Sequence, residues 1–224
     1  IIFMERHFHD ELQELKTELL KMATKVEELI YKSIQALKQQ DKDLAQSVID
    51  QDYEIDQIEN IVEEKAIDLL ALFQPMAGDL RFITTGMHIN AKLERIADLT
   101  VNICQRVLEI ADKPLLKPLI DTPQLAEQAK GMVRNAINAF VRRDEQLAKD
   151  VIFSDEKANN LRTAIIKELI YDYMVKDGTT APQAVPLILV ARDLERICDN
   201  AASIAEDVIY MIQAKVVKHH RELL

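Results

Sequence analysis

The sequence sets acidic side chains on faces that are otherwise apolar. Asp52 lies between Val48 and Ile55, and Asp155 lies between Val151 and Ala158. Asp56 and Asn159 follow one turn later on the same faces. Further along, Glu94 and Asp98 share a face with Met87, Ala91 and Val101, and Glu195 and Asp199 do so with Ile188 and Ala202. A spacing of i, i+4 stacks two helical side chains one turn apart. Packing two such helices together would converge these oxygens on one seam. Clustered carboxylates repel and lose hydration, so they need compensation. A multivalent cation supplies it, and all-oxygen sets suit Mg2+, Ca2+, Mn2+, and iron or zinc where available. The plainer expectation is that the acids pair with Arg95, Arg196, Arg162 or Lys92, or simply face water.

The elements that would position these residues are helices. The chain has 224 residues, 48% hydrophobic and 29% charged, enough to bury a core. With 4 Gly and 6 Pro there is little punctuation for the turns of a β-rich fold. The fold class expected is all-α. A first helix carries the stripe Leu12, Leu15, Leu19, Met22, Val26, Leu29, Ile30, Ile34 and Leu37. A second, with Asp41 as N-cap, carries Leu44, Val48, Ile55, Ile58, Val62, Leu69 and Phe73. Gln74-Pro75 and Gly78 should end it, with Asp79 capping a third helix that runs to about Ala111. Thr122 and Pro123 read as N-cap and first residue of a fourth, a fifth starts near Asp144, and a sixth near Thr180 after Asp177-Gly178.

The chain also repeats itself. At an offset of 103 residues, Ile34, Ala36, Asp41, Leu44, Ala45, Val48, Ile49 and Asp52 meet identical residues at Ile137, Ala139, Asp144, Leu147, Ala148, Val151, Ile152 and Asp155. At an offset of 101, Leu93-Glu94-Arg95-Ile96-Ala97-Asp98 faces Leu194-Glu195-Arg196-Ile197-Cys198-Asp199. The difference of two residues falls between the second and third helices of each half. Two tandem three-helix bundles, residues 4–113 and 121–218, joined through the Pro114–Pro123 segment, are the expected architecture.

Other chemistries have little support. No Gly-x-Ser-x-Gly, Walker loop or Gly-x-Gly-x-x-Gly is present, so nothing specific argues for an enzyme. His88 has no acid three residues before it, and the Glu-x-x-His of di-iron bundles is missing. That weakens the alternative of a carboxylate-bridged metalloenzyme or metal-storage bundle. His7, His9, His219 and His220 lie at the ends, where mobility is expected rather than ligation. Cys104 and Cys198 form no Cys-x-x-Cys motif, have no cysteine at their repeat mates, and read as packing residues in a reducing compartment. A net charge of −10 argues against nucleic-acid or anionic-membrane binding. The longest apolar run, Ala184 to Ala191, falls far short of the ~20 residues that cross a bilayer. No basic and then apolar leader pattern is seen at the start. A cytoplasmic location is expected.

Gln-Pro-Met-Ala-Gly-Asp-Leu-Arg at Gln74–Arg81, followed by the two Leu-Glu-Arg-Ile-x-Asp segments, resembles the PhoU family of phosphate-uptake regulators. The opening Met-Glu-Arg-His-Phe-His-Asp-Glu-Leu from Met4 is similar to the family's usual start, and the likeness extends to the last helix. The resemblance implies a cytoplasmic homodimer without enzymatic activity. It implies an adaptor that restrains the phosphate ABC transporter, with the transporter's ATPase subunit and a sensor histidine kinase as partners, and so a negative regulator of the phosphate-starvation response. It implies membrane contact only through those partners. Some members carry multinuclear iron or zinc on Glu/Asp-x-x-x-Asp motifs, and others none. Those motifs fall here on Asp52/Asp56 and Glu94/Asp98, on Glu195/Asp199 and, with a neutral and weaker ligand, on Asp155/Asn159. Weaker metal binding is therefore expected in the second half. Asp79, Arg81, Arg95 and Arg196 are the residues expected to touch partners. Asp79-Leu80-Arg81 faces Thr180-Ala181-Pro182, so its contacts should be one-sided.

Overall fold

A computed structural model describes residues 2–215, with side chains from residue 6 onward. Among the described residues the secondary structure is helical throughout: α1 (Ile2–Gln39), α2 (Lys42–Phe73), α3 (Ala77–Ile110), α4 (Asp121–Arg142), α5 (Glu145–Glu168) and α6 (Ala181–Gln213). The apolar stripe of α1 is buried from Leu12 to Leu37. On α2, Val48, Ile55, Ile58, Val62 and Leu69 are buried, while Leu44 and Phe73 pack at the margin. His219, His220 and the expected end of the second half at 218 lie outside the described residues. His7 and His9 sit within α1, and the His7 ring meets the Phe73 ring edge-on with centroids 5.7 Å apart.

The duplication is visible in the turns. Asp41 and Asp144 each cap the following helix, accepting from Leu44 N at 2.9 Å and Leu147 N at 3.0 Å. Each also donates its own N–H back across the turn, Asp41 to Ala36 O and Asp144 to Ala139 O. The residues before them, Gln40 and Arg143, both take left-handed φ values, 53° and 52°. The α1–α2 and α4–α5 turns are thus one Schellman-type link used twice.

Three expectations need correction. Asp79 does not cap α3; the N-cap is Met76, and Asp79 occupies the first helical turn with Gly78. The break between α2 and α3 is confined to residues 74–76, because left-handed Gln74 (φ 49°) followed by Pro75 is enough to end α2. Thr122 and Pro123 are the second and third residues of α4, whose N-cap is Ile120. The first-turn N–H groups of a helix lack intrahelical partners, so proline fits there at more than one position, and Thr122 is turned into the core. After α5, Leu169–Met174 is wound as a π-helix, and Gly178–Thr180 as a 3-10 turn, before α6. Lys117 of the linker is buried against Glu168 at the start of the π segment.

None of the four glycines has a positive φ, and the left-handed positions are held by side-chain-bearing residues. Gln74→Gly should therefore relieve strain in an exposed turn and stabilise the fold by about 1 kcal/mol. A rise of a few degrees in the thermal midpoint would show it; a fall would mean that the glutamine side chain contributes more than its backbone costs.

One continuous core links all six helices. The halves meet through α1 against α4 and α3 against α6, arranged about a local pseudo-dyad. Glu27 pairs with Arg134 across α1–α4, and at the mate positions Lys130 lies over the Tyr31 ring. Lys92 pairs with buried Asp207 across α3–α6 and also donates to Ser203 O. At the mate positions burial raises the Asp193 carboxyl, while Arg196, Arg106, Arg192 and Arg95 draw it back down. Phe82 and Phe140 stack with centroids 4.5 Å apart at the same junction.

Candidate functional site: two unequal carboxylate seams

Helices α2 and α3 run antiparallel, and their register is fixed by Asn90 Nδ2 donating to Glu59 O at 2.9 Å. That register brings Asp52 toward Asp98 and sets Glu94 within electrostatic reach of Asp52, Asp56 and Glu59. The expected residues of the first half, Asp52, Asp56, Glu94 and Asp98, are therefore gathered along one seam. Burial pushes the Asp52 carboxyl up to about 6, with Asp56 and Asp98 adding to it. Glu94 is pushed up to about 7 by burial, then by Asp98, Glu59, Asp52 and Asp56. Arg95 reaches Asp98 at 3.0 Å, half-exposed at the rim.

Two members of this seam were missed by the pattern of paired acids. Glu59, itself raised by burial and by Asp56, Glu63 and Asp98, falls outside the i, i+4 pairs. Asn90 stands one turn before Glu94, is 4% exposed, and has its Oδ1 buried without a hydrogen bond.

The second seam lies between α5 and α6 at the mate positions, but its chemistry differs. Asp155 is 3% exposed and accepts from Asn159 Nδ2 at 3.3 Å. Asp199 keeps an exposed edge; its carboxyl is raised to about 6 by burial, Glu195 and Asp155, and pulled back by Arg162. Arg162 Nε lies 3.6 Å from Glu195 Oε1, and Arg162 Nη2 donates to Asn159 Oδ1 at 3.3 Å. At an offset of 103 Arg162 is the mate of Glu59, and at 101 Asn90 is matched by Ala191. A repulsive Glu59–Glu94 relation in one half is an ion pair in the other.

Among the described residues no three His, Cys, Asp or Glu side chains converge tightly enough to hold an ion as they stand. The first seam nevertheless suits a multivalent cation: its donors are oxygens, its carboxylates outnumber the Arg95 guanidinium that meets Asp98 at the half-exposed rim, and Asn90 Oδ1 is a buried acceptor beside it. The second does not, since a guanidinium already lies among its carboxylates.

In metal-free protein the raised carboxyls of the first seam have a signed consequence. The unfolded chain releases these protons near pH 4, the folded chain only toward pH 6–7, so their contribution to stability is lost as pH rises through that window. Glu94→Gln should therefore stabilise chelator-treated protein at pH 7.5 by about 1 kcal/mol after allowance for solvent screening, and hardly at all at pH 4. Urea denaturation at the two pH values checks this. An equal effect at both would contradict it.

The remaining expected residues are engaged within the chain. Arg81 Nε donates to Met211 O at 3.1 Å, closing the end of α6, and Asp79 lies 3.8 Å from Arg143 in the α4–α5 turn. Both contacts join the halves and are one-sided. Arg196 lies 4.0 Å from Asp193 on its own helix. Cys104 and Cys198 are free and buried; burial pushes the Cys104 thiol up to about 12 and the Cys198 thiol higher still. No described helix is long and apolar enough to cross a membrane.

Comparison with known proteins agrees with this architecture. The family described as PhoU domain matches twice, over residues 19–107 and 122–208, one match in each half. The Aquifex aeolicus protein named phosphate-specific transport system accessory protein PhoU homolog is 39% identical over 209 residues, 93% of this chain and 94% of the relative. The Escherichia coli K12 phosphate-specific transport system accessory protein PhoU is 30% identical over 95% of this chain and 88% of its own. The crystal structure of PhoU from Pseudomonas aeruginosa superposes with a TM-score of 0.88 at 32% identity, covering 93% of this chain and all of that one. The duplicated three-helix pattern, its shared capped turns and these matches across both halves show that the chain belongs to the PhoU family.

Proposed function

We propose that this chain is a regulatory accessory protein of phosphate uptake. The observation that carries the reading is the double family match together with relatives named as accessory proteins of phosphate-specific transport. In this reading the protein works in the cytoplasm as a homodimeric adaptor. It restrains the phosphate ABC transporter through the ATPase subunit and relays phosphate sufficiency to a sensor histidine kinase, without catalysis of its own. A rigid scaffold with a continuous core suits a docking role, because its faces are held in fixed relation. The first carboxylate seam is the place for iron or zinc, with Asp52, Asp56, Glu94 and Asp98 as ligands and Glu59 and Asn90 Oδ1 beside them. A bound ion would supply charge neutralisation there and hold α2 to α3.

Affinity purification of the untagged chain's complexes from phosphate-replete cells tests the adaptor reading. Recovery of the transporter's ATPase subunit or the kinase is expected. Recovery of neither, from cells in which both are expressed, would overturn it.

A further inference from the structure

We infer that Arg162 is a built-in counter-ion that takes, in the α5–α6 seam, the place a multivalent cation takes in the α2–α3 seam, so that the chain binds metal through one half only. The inference rests on the metal reading of the first seam for its second clause, but its first clause stands on the second seam alone. Geometry carries it. Arg162 lies 3.6 Å from Glu195 and bonds Asn159, both of them expected ligands, with the Glu195 side chain only 14% exposed. A multivalent cation at that point would have to displace or face the guanidinium, at a Coulombic cost that grows as water is excluded. The chain has made this exchange at matched positions: Glu59 becomes Arg162, Asp56 becomes Asn159, and Asn90 becomes Ala191. Each change removes an oxygen donor or a negative charge from the second half, and one adds a positive charge. Arginine suits the task because it stays charged and can serve a carboxylate and an amide oxygen at once.

Reversing the exchange tests it. Chelator-treated, untagged protein is titrated with zinc alone, by calorimetry and by elemental analysis after desalting. The variants are Asp52→Ala/Asp98→Ala, Asp155→Ala/Asp199→Ala, and Asn159→Asp/Arg162→Glu on the Asp52→Ala/Asp98→Ala background, with helicity checked by circular dichroism. Zinc should be lost from the first, retained by the second, and regained by the third. Equal loss from the first two would overturn the inference while leaving the first seam's metal reading intact. Failure of the third, if folded, to regain zinc would overturn the role of Arg162 as what excludes it. Zinc bound by no protein would sink the metal reading, and the counter-ion claim is then decided by thermal midpoints at neutral pH. Arg162→Gln should lower the midpoint by a few degrees and Glu59→Arg should raise it, in chelator-treated protein. No change on Arg162→Gln would refute the counter-ion role.

Discussion

Lys92→Met is expected to destabilise the protein by about 3 kcal/mol, among the larger single-residue effects this fold should show. Lys92 comes from α3 in the first half and Asp207 from α6 in the second, and the aspartate side chain is 5% exposed. Truncating the lysine leaves a buried carboxylate without its principal cation, with the His88 ring 3.9 Å away at the surface and Ser203 O losing a donor. Removing both charges should recover most of the loss, because well-packed neutral side chains replace buried ion pairs at little net cost. Urea denaturation of Lys92→Met, Asp207→Asn and the double variant completes the cycle. Additive losses in the double variant would show that the pair does not couple the halves. The location makes the effect consequential: this ion pair spans the pseudo-dyad on which the two bundles meet.

The other large effect concerns the first seam. Reloaded with zinc or ferrous iron, wild-type protein should hold more metal than Asp52→Ala/Asp98→Ala by ~10-fold or more. These residues face one another across α2 and α3, and Asp98 raises the Asp52 carboxyl directly. Losing both removes one end of the seam and leaves Asp56, Glu59 and Glu94 without the convergence that a multinuclear site needs. The same substitution should stabilise metal-free protein slightly, since it removes repulsion. Opposite signs in the two states separate a ligand role from a merely structural one. Equal metal content in the two proteins would return these carboxylates to ion pairing or docking.

Much of the fold was legible because helical periodicity and duplication are written in apolar positions, and burial follows them closely. Asp41 was readable as a cap from type and place, and its repeat mate Asp144 makes the same backbone hydrogen bond. Asp79 and Thr122-Pro123 were misplaced because the first turn of a helix accepts acids and prolines at several positions, so residue type does not fix the boundary. The π-helical turn at Leu169–Met174 left no pattern in the sequence, because it depends on which carbonyl each N–H selects after packing.

The site was half legible. Paired acids on apolar faces pointed to both seams, and the structure gathers them as the spacing implied. The difference between the seams is written in the alignment of the halves, but at positions outside the i, i+4 pairs. Glu59 and Arg162 are mates seven residues beyond Asp52 and Asp155, and only the packing of α2 on α3 and α5 on α6 shows that they face Glu94 and Glu195. Asn90 carries no charge and belongs to no acidic motif; its buried, unbonded Oδ1 is visible only in three dimensions.

Whether this chain restrains phosphate uptake is decided in a deletion strain grown in abundant phosphate. Phosphate uptake and a phosphate-starvation reporter are measured with and without the gene restored. Deletion is expected to raise both, and restoring the wild-type chain to return both to the parental level. Uptake and reporter output unchanged by deletion would contradict it.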